Sequence, residues 1–503
     1  EEMHVVGDTD KNGTTVRFKP DPEMFDELVY DYETLHTRMR EQAFLNAGIT
    51  ITIEDKREGR EQKDVLYYEG GIREYVAYLK KLGVNVLLIL PHFKPSFSPY
   101  VVADYEQPCD LFGSWEKFTE FTQYVESLGI DRMIDIPFNH ADWNAAHLKR
   151  EWYKNYQNNG IEAGADDEDA DGNRIHINWG AFILDNSIEE LQNYWLENVI
   201  YPHIEKRHVN AIRIDAAWGL DPNGLKRIVQ ETKKRYPHVW FLTENLGMAK
   251  LIKLAESGIA AGADRFFNNM YWYNGGIYIP TDIYTLYKRS NGVPTSTIFS
   301  SHDTLMPAMK AYSRLRSNDI KGMNNKAIVR QFVQYENIHS VQQFDEGTRN
   351  EVIAQMKLDF ALSALMSTDV MFVAGSEAAL FESNNVCGST ADDFAKGVES
   401  DMPNFIQDIL NIKSSDKAFN CEGVVIPFGL WKLDQAGIRG YVKTAADGKQ
   451  ILVAVNNSDE PLPVRMPKRI RKAQKGYIHT PAEKAQISIP DFFRIVSFSL
   501  ERK

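Results

Sequence analysis

The sequence predicts a (β/α)8 barrel of the α/β class, with a C-terminal all-β sandwich domain and a small N-terminal α/β segment. Three observations predict it. Seven short apolar runs, each followed by a helical or loop segment, lie at 84–91 (VNVLLILP), 131–137 (DRMIDIP), 210–217 (NAIRIDAA), 239–245 (VWFLTEN), 264–269 (DRFFNN), 296–303 (STIFSSHD) and 369–375 (DVMFVAG). They are apolar without clean alternation, as parallel strands covered on both faces are. Val65–Glu69 is a candidate eighth, and eight such strands favour a closed barrel over an open sheet. After about residue 420 the pattern changes to short alternating strands with Gly and Pro turns (VVIPFGLWKL, RGYVKT, QILVAVNN, FFRIVSFSL), which reads as a separate all-β domain.

The elements follow in chain order. Thr14–Phe18 reads as a strand after the Asp10–Gly13 turn, and Tyr32–Leu45 as an amphipathic helix with Leu35, Met39 and Ala43 on one face. Ile49–Glu54 alternates as a strand and the polar KREGREQKD as a turn. Ile72–Leu82 is helical, and Trp115–Leu128 carries Phe118, Phe121, Val125 and Leu128 on one stripe. The segment from about 141 to 209 reads as an elaborated loop on the face where such barrels place their sites. The expected division is therefore 1–70, a barrel at 71–419, and a β domain at 420–503.

Composition narrows the function. A net charge of −13 argues against a nucleic-acid partner or an anionic membrane surface, since both need clustered Lys and Arg. No run of about 18 apolar residues occurs, so no membrane span is expected. Cys109, Cys387 and Cys421 lie far apart, which fits a reducing compartment, with the cytoplasm as the default. The polar, acidic N-terminus is unlike a signal peptide. The loop ADDEDADGNR offers Asp167, Asp169, Asp171 and Gly172 at EF-hand-like spacing, but Asn178 stands where a bidentate Glu is needed, so a solvated acidic loop is the reading.

Four strand ends carry unusual side chains: Asp135 with Asn139 and His140, Arg213 with Asp215, Glu244, and His302 with Asp303. A lone carboxylate ending a strand is ordinarily a helix cap or loop residue. Four cases on different strands of one barrel point to chemistry instead. Glycoside cleavage needs two carboxyl groups facing one anomeric carbon, about 5–5.5 Å apart for retention. One attacks while the other, its pKa raised, protonates the leaving oxygen. Arg213, two residues before Asp215 on the same strand face, would keep the nucleophile ionised, and Asp303 can grip sugar hydroxyls.

In order and spacing, DIPFNH (135–140), AIRIDAA (211–217), FLTEN (241–245) and FSSHD (299–303) resemble the four conserved regions of glycoside hydrolase family 13, the α-amylase family. GVNVLLILP followed by SPYVVADYE resembles its second strand and loop, and LDNSIEELQNYW the segment before its nucleophile strand, so the resemblance spans about 70–503. It implies a retaining α-glucan-active hydrolase or glucanotransferase acting on α-1,4 bonds of an α-glucan or maltooligosaccharide. Asp215 would be the nucleophile, Glu244 the acid/base and Asp303 the transition-state stabiliser. His140 and His302 would bind sugar, Arg213 would be the family's arginine, and Tyr100 the platform under the sugar. Asn139 occupies a frequent calcium-ligand position; no other cofactor is implied. Two departures stand out: Trp218 and Gly219 replace the Lys-His common after the nucleophile, and Ser301 replaces a usual Asn.

The first 80 or so residues carry a second resemblance. GDTDKNGTTVRFKPDPEMFDE, LHTRMREQAFLNAGITITIEDKREG and YYEGGIREYVAYL resemble the B subunit of DNA gyrase at the start of its transducer domain, as far as about Leu79. That subunit's nucleotide-contacting motifs would lie upstream, and its lysine loop and metal-binding domain downstream, so no gyrase activity is expected. The chain reads as a fusion in which this fragment replaces the amylase N-terminus, with Val65–Glu69 the candidate substitute for the first barrel strand. The rival reading is a catalytically silent barrel serving as a scaffold; the intact trio Asp215, Glu244 and Asp303 argues against it. Oligomeric state is not encoded in these patterns.

Overall fold

The computed structural model describes residues 19–21, 29–30, 32, 35–36, 39, 49–67, 72–168, 173–244, 262–268, 271, 289–290, 292–316, 326–382, 397–398, 400–415, 419 and five C-terminal strands. The expected strand Thr14–Phe18 and most of the expected helix Tyr32–Leu45 lie outside these residues; Tyr32, Leu35, His36 and Met39 are helical.

The chain enters through an antiparallel hairpin, β1 (Thr50–Asp55) and β2 (Gln62–Tyr67), with Thr52 opposite Val65. This corrects the expectation for Val65–Glu69. The short turn folds the chain straight back, so β2 spends its backbone hydrogen bonds on β1. Val65 is 54% exposed, unlike a side chain of a barrel strand covered on both faces. Among its described residues the gyrase-like segment therefore supplies no strand to the barrel.

Helix α1 (Ile72–Leu82) follows, with Val76, Leu79 and Leu82 buried on one stripe and Lys80 and Lys81 in its last turn. Lysines there complement the helix dipole. Gly83 ends it with a φ of +107°, donating to Lys80 O, while Val84 N–H returns to Leu79 O.

A parallel sheet of seven strands forms the centre, in the order β14 (Asp369–Met371), β13 (Thr295–Ile298), β12 (Arg265–Phe267), β11 (Trp240–Thr243), β10 (Ala211–Ile214), β6 (Asp131–Ile136) and β3 (Val86–Ile89). All seven apolar runs of the sequence are in it, and among the described residues helices follow β3, β6, β10 and β13, as in a (β/α) barrel. Among the described residues β3 and β14 are its edges. Their side chains are partly exposed, whereas β10 and β13 are buried throughout. Helix α1 packs beside these edges, with Tyr75, Tyr78, Leu79 and Leu82 in one apolar cluster with Leu87, Met371 and Phe372.

Two small sheets lie beyond the strand ends, one before the expected 141–209 elaboration and one mostly within it. The hairpin β4 (Phe93–Pro95) and β5 (Val102–Pro108) follows β3. After β6 comes a three-stranded sheet of β7 (His140–Ala141), β9 (Arg174–Ile183) and β8 (Glu162–Glu168). The acidic stretch begins in β8 and ends in β9. Asp166 there pairs with Arg174 and His176, and Asp169, Asp171 and Gly172 lie outside the described residues. At the C-terminus β15 (Val424–Pro427), β16 (Ile438–Thr444), β17 (Gln450–Asn456), β18 (Lys475–His479) and β19 (Ile495–Leu500) form one antiparallel sheet. The second layer of the expected sandwich is not among the described residues.

Beneath β3 lies a buried imidazole pair. His92 Nε2 sits 2.9 Å from His203 Nε2, with the His92 ring stacked at 4.4 Å on Phe118. His203 Nδ1 faces Val199 O at 2.6 Å, so it carries the proton there and His92 Nε2–H donates to His203. Burial, then the nearby Arg207 charge, lowers His92 from 6.5 to about 3. The folded protein keeps it neutral while the unfolded chain protonates it below about 6.5, so stability from this site is present above that pH and lost as pH falls towards 3. Comparing wild type with His92→Gln by urea unfolding, the wild type is expected to lose about 2 kcal/mol relative to the variant between pH 8 and pH 5. A difference that stays flat across that range would contradict a neutral buried pair.

Candidate active site

The parallel register places the site. Arg213 on β10 lies opposite Asp135 on β6, and Leu242 of β11 on its other side, so the ends of three neighbouring strands converge. Asp215 N–H donates to Ile136 O at 3.2 Å and Glu244 N–H to Ile214 O at 3.0 Å, which extends the ladder just past the strands and fixes both carboxylates on it.

At the centre is the Arg213 guanidinium, 2% exposed. Its Nη1 binds Asp135 Oδ2 and lies 3.1 Å from Asp215 Oδ1, and its Nη2 lies 2.9 Å from Glu244 Oε1. One cation thus faces three carboxyl groups. Tyr100 OH donates to Asp135 Oδ2 at 2.7 Å, and Ala216 N–H donates to Glu244 Oε2 at 2.8 Å. Ala216 takes a left-handed φ of +44°, a strained backbone for a residue with a Cβ, which turns that N–H onto the carboxylate.

Three buried carboxylates around one guanidinium cannot all hold their charge cheaply. Burial pushes Asp135 up to about 6, opposed by Arg213 and Tyr100. Burial, then Glu244, pushes Asp215 well above the usual carboxylate range, opposed by Arg213. Glu244 accepts on both oxygens, from Arg213 and from Ala216.

His302 and Asp303 complete the cluster beyond β13. The His302 ring stacks on Tyr100 at 5.1 Å, and its Nε2 lies 3.1 Å from Asp303 Oδ2. Burial, then Arg213, lowers His302 to about 3, and burial lowers His140 to about 4, so both rings are neutral at pH 7. Each has a buried Nδ1 without a hydrogen-bond partner, as does Asp135 Oδ1. Asp303 is nearly half exposed and faces the open side. The structure thus gathers Tyr100, Arg213, Asp215, Glu244, His302 and Asp303 into one linked cluster.

Asn139 stands behind it. Its Oδ1 is buried and takes no hydrogen bond, as a metal-ligand oxygen would, yet one such oxygen falls far short of the six to eight that calcium requires. No group of three or more His, Cys, Asp or Glu side chains shaped for a metal occurs among the described residues. The Asn139 amide also explains a sequence departure. A Cβ at Gly219 would meet Asn139 Oδ1 at 2.5 Å, so only glycine lets the turn after Asp215 settle against it. Two features escaped the sequence: the Tyr100–Asp135–Arg213 link, and Trp179 on β9, whose ring packs 5.1 Å from His140.

Residues 69–217 match the family model of the alpha-amylase catalytic domain. Over that stretch the chain is alpha-amylase-like. The whole fold is similar to the alpha-amylase from H. orenii, at 16% identity and a TM-score of 0.60 over 90% of this chain and 98% of that one. It is also similar to the alpha-amylase from Geobacillus thermoleovorans complexed with acarbose (14%, 0.59, 87% and 94%) and to an Anoxybacillus alpha-amylase (13%, 0.58, 86% and 90%). At these identities the likeness establishes the fold. With the family match, it supports a glycoside hydrolase or transglycosylase as the enzyme class.

The N-terminal segment belongs to other company. It is 60% identical over 81 residues to the DNA gyrase B protein of Bacillus cereus, covering 16% of this chain and 20% of that one. Against the gyrase B protein of Enterococcus faecalis the identity is 55% over 80 residues, 12% of that protein. The chain spans a fifth or less of the length of these gyrase relatives.

Replacing Arg213 by Gln leaves the carboxylates without their cation. The variant is expected to be about 3 kcal/mol less stable at pH 8 by urea unfolding. The deficit should shrink towards pH 5, because the carboxyls, already raised, then take up protons. Equal stability of the two proteins at pH 8 would rule out this role for Arg213.

Proposed function

We propose that the protein is a retaining α-glucan-active enzyme, a hydrolase or glucanotransferase cleaving α-1,4-glucosidic bonds through a covalent glycosyl-enzyme. The observation that carries the reading is the Arg213 guanidinium bridging the carboxyl groups of Asp215 and Glu244 at the ends of adjacent strands. Both acids of a double displacement are thereby held beside one cleft. Asp215 attacks the anomeric carbon while Glu244 protonates the departing oxygen; Glu244 then takes the proton from water or an acceptor hydroxyl as that attacks. The attack needs charge on Asp215 and a proton on Glu244.

The remaining roles follow from position. Asp303, beside the neutral His302, meets sugar hydroxyls from the open side, with His140 and His302 as the sugar-binding histidines. Tyr100 offers one ring face to the sugar and the other to His302. An alpha-amylase with this fold is complexed with acarbose, and an alpha-glucosyl transfer enzyme shares the fold at 15% identity and a TM-score of 0.56, which supports a glucan substrate for either outcome. Asn139 is proposed as a calcium ligand only together with oxygens from elsewhere.

Incubation with maltoheptaose, followed by chromatography, is the test. Shorter sugars alone indicate hydrolysis, and longer ones as well indicate transfer. Asp215→Asn and Glu244→Gln are each expected to cut the rate by about a thousandfold or more. Unchanged activity in either variant would overturn the assignment.

A further inference from the structure

One contact outside the carboxylate cluster joins α1 to the turn after β14. Tyr75, on α1, donates its hydroxyl to Glu377 Oε1 at 2.8 Å. Glu377 is 4% exposed, and its other oxygen accepts from Gly375 N–H at 2.9 Å. Both oxygens of this carboxylate are therefore held, one by the helix and one by the turn after β14. Burial, and then the carboxylate itself, raises the Tyr75 hydroxyl well above its ordinary value, so it stays a donor.

The contact continues towards the site. The neighbouring Ser376 Oγ lies 2.7 Å from Ser300 Oγ, and Ser300 Oγ accepts from Val373 N–H at 2.9 Å. Ser300 begins the turn that bears His302 and Asp303. That turn closes on itself, with Ser301 N–H donating to Thr304 Oγ1 at 2.8 Å and Asp303 N–H to Ser301 Oγ at 3.2 Å. Hydrogen bonds and one covalent step thus run from α1 to the His302–Asp303 turn.

We propose that Tyr75 and Glu377 are positioning residues for the His302–Asp303 turn, so that the helix where the gyrase-like and amylase-like stretches overlap supports the glucan site. The kinetic part rests on the function proposed above. A pair touching no sugar acts by holding the turn where the transition state needs it, so its loss falls on kcat more than on KM.

The test compares the full-length protein with Tyr75→Phe, which keeps the ring and removes the donor, and with Glu377→Gln as a second variant. Hydrogen exchange is followed on peptides covering 296–306, 131–136 and 211–214, and kinetics on maltoheptaose at a temperature well below unfolding. Faster exchange confined to 299–304 in both variants, by about tenfold, with kcat down about tenfold and KM within about twofold, is the expected result for one lost buried hydrogen bond. Exchange at 299–304 equal to wild type overturns the proposal, even if kcat falls. So does loosened exchange with kcat unchanged. Wild type inactive on maltoheptaose, or matched by Asp215→Asn, overturns the functional reading instead, and the exchange comparison then decides the positioning link by itself.

Discussion

The Arg213 guanidinium is the constraint from which the rest of the centre follows. It is nearly inaccessible and faces Asp135, Asp215 and Glu244 from three adjacent strands. A buried cation without partners is costly, and so are three buried carboxylates. Together they hold each other, and they do so only if β6, β10 and β11 stay in register, since a slip of one residue would send the side chains to the other face. The chemistry and the strand alignment are therefore one condition. Tyr100 and Ala216 supply the donors that the guanidinium cannot.

Much of the barrel was legible because buried strands leave a coarse signal. Runs such as VLLI and MIDI lack the clean alternation of a strand with one wet face, and each became a strand of the sheet. The helical segment Ile72–Leu82 likewise became α1 from end to end. Val65–Glu69 misled because local pattern says that a strand forms, not what it pairs with. Pairing is decided by the turn before it, and a tight turn gives the nearer partner, β1, the advantage of low loop-closure cost. The two-layer C-terminal sandwich was inferred from alternation, which is equally satisfied by the single sheet that is described.

The site was legible where position in a strand dictates direction. Asp215, Glu244 and His302 follow apolar runs directly, so their placement came with the fold. What remained hidden depends on loops crossing long sequence distances. Tyr100 reaches Asp135 from the β4–β5 hairpin, and Trp179 reaches His140 from β9. No local periodicity encodes such meetings. Gly219 was visible as a departure from pattern, but its reason, the Asn139 amide 2.5 Å from where a Cβ would sit, needed coordinates.

Helix α1 has a consequence for how such chains are assembled. The family match to alpha-amylases begins at residue 69, and the gyrase-like identity runs over about 80 residues at the N-terminus, so both claim these three turns. A helix on the outside of a barrel is asked for little beyond an apolar stripe, a polar back and a glycine stop. Such an element is a permissive seam. Two unrelated sequences can be joined inside it without either half meeting a foreign backbone, because the rods they contribute are interchangeable until a side chain such as Tyr75 acquires a partner across the join.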